Sequence, residues 1–381
     1  MKLQPNHYDY IKKLRPELIE AAELDAEELL ATDNPPATIH SVDDYQGRYN
    51  EYFRQCEARL FTDVSRMTGL TVGQLGEELP TLPYDVKVTI GALFYTICQE
   101  YHCIVNFALG GKKTFYFHDN LVDHLANTEI NVKTGLIELP FPTCLFTFTA
   151  PVAIRAMYGT RHAACNYDEP ISVFITMHPA ASTDLPYRKL LMCAWHGRHI
   201  CIKRELCMDD SWTLEQALRT DWQKLTPDNL GPGICFNVVE GTTSKSNDQD
   251  YYTDGLLFFR IILNAVLYLS SDQAELKALK TPRAELEARA ATILSAPKRK
   301  KALREARKYS ALDYIEVGAS VEMISGASNH GGKPSVRFMV RGHWRNQAHG
   351  TGNAERKLIW IRPFYKGPDV AGSINKPYIV K

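Results

Sequence analysis

Residues Lys189–Leu206 read KLLMCAWHGRHICIKREL, and this stretch decides the fold. Two apolar runs rich in β-formers flank Gly197-Arg198, a two-residue connection with glycine in the first central position, as a type II′ hairpin turn requires. The hairpin pairs His196 with His199 and Ala194 with Cys201, and sets Cys193 against Ile202 on the opposite face. Cys193, His196, His199 and Cys201 have zinc-ligand chemistry, but this register scatters them over two faces, so no metal is expected there. Outward from the hairpin, KTFYF (113–117), CLFTFTA (144–150) and ISVFITMH (171–178) are further short runs of period two bounded by turn residues. CIVNFAL (103–109) is read with them, joined to KTFYF through a Gly110-Gly111 turn, and ICFNVV (234–239) closes the series. The fold class expected is α+β, with a mostly antiparallel sheet.

Upstream, residues 8–100 carry apolar positions at helical spacing, interrupted by a breaker-rich loop over 69–85. Downstream, GLLFFRIILNAVLYL (255–269) is about 15 residues long and holds Arg260 and Asn264, too short and too polar for a span of about 20 apolar residues. It is a buried core helix. Thr281-Pro282 opens another helix, and Pro297 introduces the basic run KRKKALREARK. The division expected is a helical region over 1–100, a sheet with a buried helix and a linker helix over 101–297, and a basic β-module over 298–381.

Charge supports that last division. The chain has 44 basic and 44 acidic residues, but residues 298–381 hold 17 basic and 6 acidic ones, leaving the remainder strongly acidic. Such a tail suits a polyanion or an acidic partner. Nine scattered cysteines and a charged opening without an apolar leader segment point to unpaired thiols in a cytoplasmic protein, without a membrane span.

Within the tail, SVRFMVRGHWR (335–345) reads as one strand. Period two puts Val336, Phe338, Val340 and Trp344 on a packing face, and Arg337, Met339, Arg341, His343 and Arg345 on a cationic face. KLIWIRPF follows as a second strand, after a loop containing His349, Gly350 and Gly352. Guanidinium forks crowded on one face favour phosphate. The expected nucleic-acid contacts are Arg337, Arg341, Arg356 and Lys357, flanked by Lys298, Arg299, Lys300 and Lys301; Trp344, Trp360, Phe364 and Tyr365 offer stacking surfaces where exposed. The competing reading packs these cations against the chain's own carboxylates. A sharper expectation is RNA cleavage without metal or cofactor: His343 and His349 as acid or base, with Arg345 holding the phosphorane charge. The alternative class is a non-enzymatic adaptor whose tail docks on an acidic protein surface; a homo-oligomer is compatible with either.

The segment VRGHWRNQAHGTGNAERKLIWIRPFYKG (340–367), with the closing INKPYIVK, resembles the C-terminal signature of a family of uncharacterised bacterial, phage and plasmid proteins. The shared pattern is His-Trp-Arg, then Gln and Gly, then Arg-Lys-apolar-Ile-Trp-Ile-x-Pro, and it covers roughly a sixth of the chain. The resemblance implies a prokaryotic mobile-element setting and carries over no activity residue by residue. A small His- and Arg-rich β-module is also similar in style to toxin-type ribonucleases. Elsewhere, His118-Asp119 and Asp123-His124 read as the acidic first turn of a helix. No P-loop, Gly-x-Ser-x-Gly or His-Glu-x-x-His pattern occurs, which sets aside those three chemistries.

Overall fold

The structure is a computed structural model that describes residues 6–39, 98–158, 167–180, 187–196, 199–217, 248–324 and 338–366. Its centre is a seven-stranded sheet in the order β6-β5-β4-β3-β1-β8-β7. The strands are β1 (Lys113–Phe117), β3 (Thr143–Phe148), β4 (Ile171–His178), β5 (Arg188–His196), β6 (His199–Met208), β7 (Leu276–Leu279) and β8 (Tyr314–Val317). Pairing is antiparallel except where β1 lies parallel to β3 and to β8. The α+β class and the dominance of antiparallel pairing are as the sequence indicates.

The central strands are near-continuous apolar runs because both sheet faces are covered. Cys144, Phe146, Phe148, Val173, Ile175, Leu190 and Met192 turn to one core, and the intervening Leu145, Phe174, Leu191, Cys193 and Trp195 turn to the other. The first core is closed by α4 (Asp119–Ala126), α5 (Pro151–Tyr158) and α6 (Asp248–Leu269). Phe258 and residues 261–269 of α6 are buried, so 255–269 is the core helix expected, begun a few residues earlier at Asp248. The second core is closed by α1 (His7–Leu14), α2 (Pro16–Leu30) and α3 (98–109). Here the His7 ring stacks on Trp195 with centroids 4.7 Å apart, and its backbone N–H donates to the Ser172 hydroxyl at 2.9 Å.

α3 corrects one expectation: CIVNFAL is helical, not a strand. Tyr101, Ile104, Val105 and Phe107 are buried at helical spacing, and a short apolar run that is buried all round carries no period to separate the two states. Gly110-Gly111 ends this helix instead of turning a hairpin. Gly111 takes a φ of 76°, the Gly111 N–H donates to Ala108 O at 3.0 Å, and the Lys112 N–H donates to Phe107 O at 2.9 Å, which is a Schellman cap.

The β5–β6 hairpin keeps the expected His196–His199 pair, but the register shifts after Ala194. Ala194 therefore faces Ile202 and Cys193 faces Lys203, where the sequence reading sets Cys201 and Ile202. A one-residue bulge explains the shift. The helical stretches and loop expected over 40–97, and the ICFNVV run, lie outside the described residues.

The charge change at Pro297 does not divide the core. β8 follows Pro297 yet sits inside the main sheet, with Phe115 opposite Ile315. Trp344 and Trp360 belong to the same hydrophobic core as α6.

Candidate nucleic-acid interface

The tail forms β9 (Phe338–Val340), β10 (Gly342–His349), β11 (Glu355–Ile361) and β12 (Phe364–Lys366). The single strand expected over 335–345 is interrupted at Arg341: β9 pairs with β12, whereas β10 pairs with β11 and with a short body strand, β2 (Thr128–Glu129). Phe338 is exposed rather than packed, because β9 belongs to the small two-stranded ribbon and does not extend the Trp344 face.

Gly342 makes the junction possible. A Cβ there would stand 2.6 Å from Thr128 Oγ1 and 2.9 Å from Ile361 O, so only glycine lets three backbones meet. Next to it Trp344 and Trp360 face each other across the β10–β11 pair, stacked with centroids 6.1 Å apart, and both are buried. Their indole N–H groups are satisfied by the body. Trp344 Nε1 donates to Asn264 Oδ1 at 2.7 Å, and Trp360 Nε1 donates to Thr128 Oγ1 at 3.0 Å. Asn264 Nδ2 in turn donates to Leu125 O and Thr128 O, at 2.9 and 3.0 Å. Neither tryptophan is available for stacking on a base.

With Trp344 turned inward, period two turns His343 and Arg345 outward, and both are exposed, as is Arg341. Arg341 approaches Glu129 at 3.4 Å, and Arg260 lies near enough for Arg341 to help hold its guanidinium pKa below the usual range, behind the larger effect of burial. Lys357 shares the outward face and approaches Asp272 at 3.4 Å, while His349 meets Glu355 at 3.1 Å. Among the described residues His343, Arg345 and Arg356 form no ion pair.

The structure does not bring the expected site residues together. His343 and His349 share a face but are six residues apart on one continuous strand, roughly 20 Å at about 3.3 Å per residue. They cannot serve one phosphate as acid and base. Arg356 lies opposite Ala348, on the tryptophan side of the hairpin and away from Arg345. After α7 (Arg283–Ala291), Lys298, Arg299, Lys300 and Lys301 are exposed on α8 (Ala296–Ala306). Arg299 and Lys300 line a cleft against α1, whose buried side packs on the second core, so this basic flank is separated from β10 by the sheet. Arg337 lies outside the described residues.

The other acid–histidine cluster also separates. His118 stands 3.5 Å from Glu316 at the end of β1, whereas His124 turns under Trp360 and bonds Glu322 O at 3.0 Å. Burial, then the neighbouring Asp119, hold the Asp123 carboxyl above its ordinary pKa. Burial pushes the Cys144 thiol up to about 12, which makes it an inert packing group. Among the described residues no His, Cys, Asp or Glu group is arranged to hold a metal ion, and no helix is long and apolar enough to cross a membrane.

Sequence reasoning missed Asn264 and Thr128 as the residues that seat the strand, and Lys12 and Lys13, which join the α8 cations. Asn264 did carry a signal: a lone amide in an apolar helix needs a partner.

Comparison with curated proteins and with solved structures finds no match. A family model does match, over residues 115–365, from β1 through the tail hairpin to β12. That family is associated with phages and mobile elements, in agreement with the setting that the C-terminal resemblance implies. The match covers about two-thirds of the chain, and the chain belongs to the AcrVA2-like family, the anti-CRISPR type V subtype A2 family.

Proposed function

We propose that this protein counteracts a type V CRISPR system and does so by engaging RNA through the outward face of β10. One observation carries the reading. His343 and Arg345 point to solvent without ion pairs among the described residues, on a strand whose opposite face is fixed by Trp344 and Asn264. A cationic face held rigidly in this way meets a phosphate backbone with little ordering cost. The Arg341–Glu129 and Lys357–Asp272 contacts do not oppose this, since exposed pairs are worth about 0–1 kcal/mol and yield to a phosphate.

If the site also cleaves RNA, the chemistry rests on a single histidine. His343 stands between Arg341 and Arg345 in sequence; it would take the 2′-hydroxyl proton as that oxygen bonds to the adjacent phosphorus and return it to the 5′-oxygen as the P–O5′ bond breaks, while either guanidinium neutralises the developing phosphate charge. The second reading is a protein partner with an acidic surface. The half-buried Ile361 and Ile359 lie directly across from His343 and Arg345, and a mixed apolar and cationic face also suits a protein interface.

Titration of the full chain with labelled single-stranded RNA at several salt concentrations separates the two. The Arg341→Ala plus Arg345→Ala variant should bind more weakly, with a log–log salt slope shallower by about 1.4, at about 0.7 per lost contact on a single strand. His343→Ala should abolish any cleavage and leave binding nearly intact. Unchanged affinity and slope in the double-arginine variant would transfer the site to the protein-partner reading.

A further inference from the structure

The face of the sheet opposite β10 carries a second cationic surface. α1 and α8 border a cleft of about 1200 Å3, beyond the roughly 300–1,000 Å3 of small-molecule pockets. One wall follows from helical period. Arg299, Lys300, Arg304 and Arg307 recur at the spacing that gathers side chains on one face of a helix, while Lys298 and Lys301 fall outside the lining. Lys12 and Lys13 of α1 stand on the other wall. All six are exposed, and none forms an ion pair among the described residues.

The acids in the cleft do not offset them. Arg283 engages Asp9 and Glu287, each at 2.9 Å, which leaves Glu169 as the remaining carboxylate among the described residues of the lining. Asn6, which also lines the cleft, is 2% exposed; its Oδ1 accepts the Asp9 N–H at 3.1 Å, but its Nδ2 is buried and has no acceptor. Apart from Glu169, the unmet groups among the described residues of the lining are donors or cations. A stack of rings also reaches this cleft: Trp195 to His7 at 4.7 Å, then His7 to Tyr10 at 5.8 Å, with Tyr10 in the lining.

We propose that the α1–α8 cleft is a second nucleic-acid site, which holds the phosphodiester backbone of a single strand along the α8 cations, with its bases toward the Tyr10 side of the lining. The length decides for a polymer over a lone nucleotide. From Arg299 to Arg307 the helix rises about 12 Å at 1.5 Å per residue, enough for several successive phosphates of a stacked strand at about 3.4 Å each. A tyrosine in the lining beside the cations decides for nucleic acid over an acidic peptide, because cationic grooves that also present a ring suit bases and phosphates together. The α1 side of the cleft lies outside the region that the family model matches.

The test is fluorescence anisotropy with a labelled 12-nucleotide oligouridylate and the full chain, over a range of salt. Arg299→Ala plus Arg304→Ala plus Arg307→Ala should weaken binding at least tenfold at low salt and make the slope shallower by about two. Lys12→Glu plus Lys13→Glu, on the opposite wall, should give a comparable loss, and it guards against a folding defect in the first variant. Wild-type affinity and slope in both variants would overturn the proposal. So would displacement of the oligonucleotide by a polyglutamate peptide at equal charge concentration, which would make the cleft an acidic-peptide site. A loss confined to Arg341→Ala plus Arg345→Ala overturns the cleft and supports β10; a loss confined to the cleft variants does the reverse.

Discussion

His124 shows how much one residue's surroundings decide. Its Nε2 donates to Glu322 O at 3.0 Å, its Nδ1 is buried without a partner, and its ring meets the edge of Trp360 at 5.9 Å. Burial holds its pKa below the ordinary value; the Glu322 carbonyl offsets part of this, and the charge of Arg362 adds to it. The unfolded chain takes up a proton near pH 6.5, whereas the folded chain resists it. The stabilisation is therefore complete above about pH 6.5 and is lost as the pH falls through the lower folded value. Thermal midpoints of wild type and His124→Gln between pH 7.5 and 5.5 check the sign: the difference should shift against the wild type as the solution is acidified. A pH-independent difference would mean that the ring titrates alike in both states.

At the scale of elements, the seating of β10 on α6 depends on one amide. Asn264→Leu keeps the approximate volume but leaves Trp344 Nε1 and the carbonyls of Leu125 and Thr128 without their partners. A cost of about 3 kcal/mol follows for a buried network broken at its centre. Adding Trp344→Phe removes the orphaned indole N–H, so the double variant should lose less in urea unfolding than the two single losses added together. Strict additivity would show that the Asn264–Trp344 bond does not couple helix and strand.

Elements also show what the sequence could and could not say. β1, β3, β4, β5 and β6 were legible because breakers bound each run and β-branched or aromatic residues fill it. α3 was not, since burial on all sides erased its period. β7 and β8 are four residues each and are strands only because β1 is there to pair with one of them. The outward direction of His343 and Arg345 was legible from Trp344 and period two, whereas the break that places Arg341 between β9 and β10 was not. Glu129 beside Arg341 was not, because 212 residues separate them.

For the whole molecule, the division suggested by charge is a division of surface and not of core. Residues beyond Pro297 supply a strand to the main sheet, two tryptophans to the α6 core and a helix to the α1 cleft. The tail's positive charge is thereby spread over two faces of one body. Packing could arrange this because exposed lysines and arginines impose almost no constraint on which core their element joins. Only the alternation within β10 and the helical stripe of α8 were written locally.

The proposed function stands or falls with RNA contact at the outward face of β10. Ultraviolet cross-linking of the full chain to 4-thiouridine-labelled single-stranded RNA, followed by peptide mapping, tests it most directly. Adducts are expected on the peptides that carry Arg341, His343 and Arg345, and are expected to be lost in Arg341→Ala plus Arg345→Ala. Adducts confined to other parts of the chain, or their persistence at β10 in that variant, would contradict it.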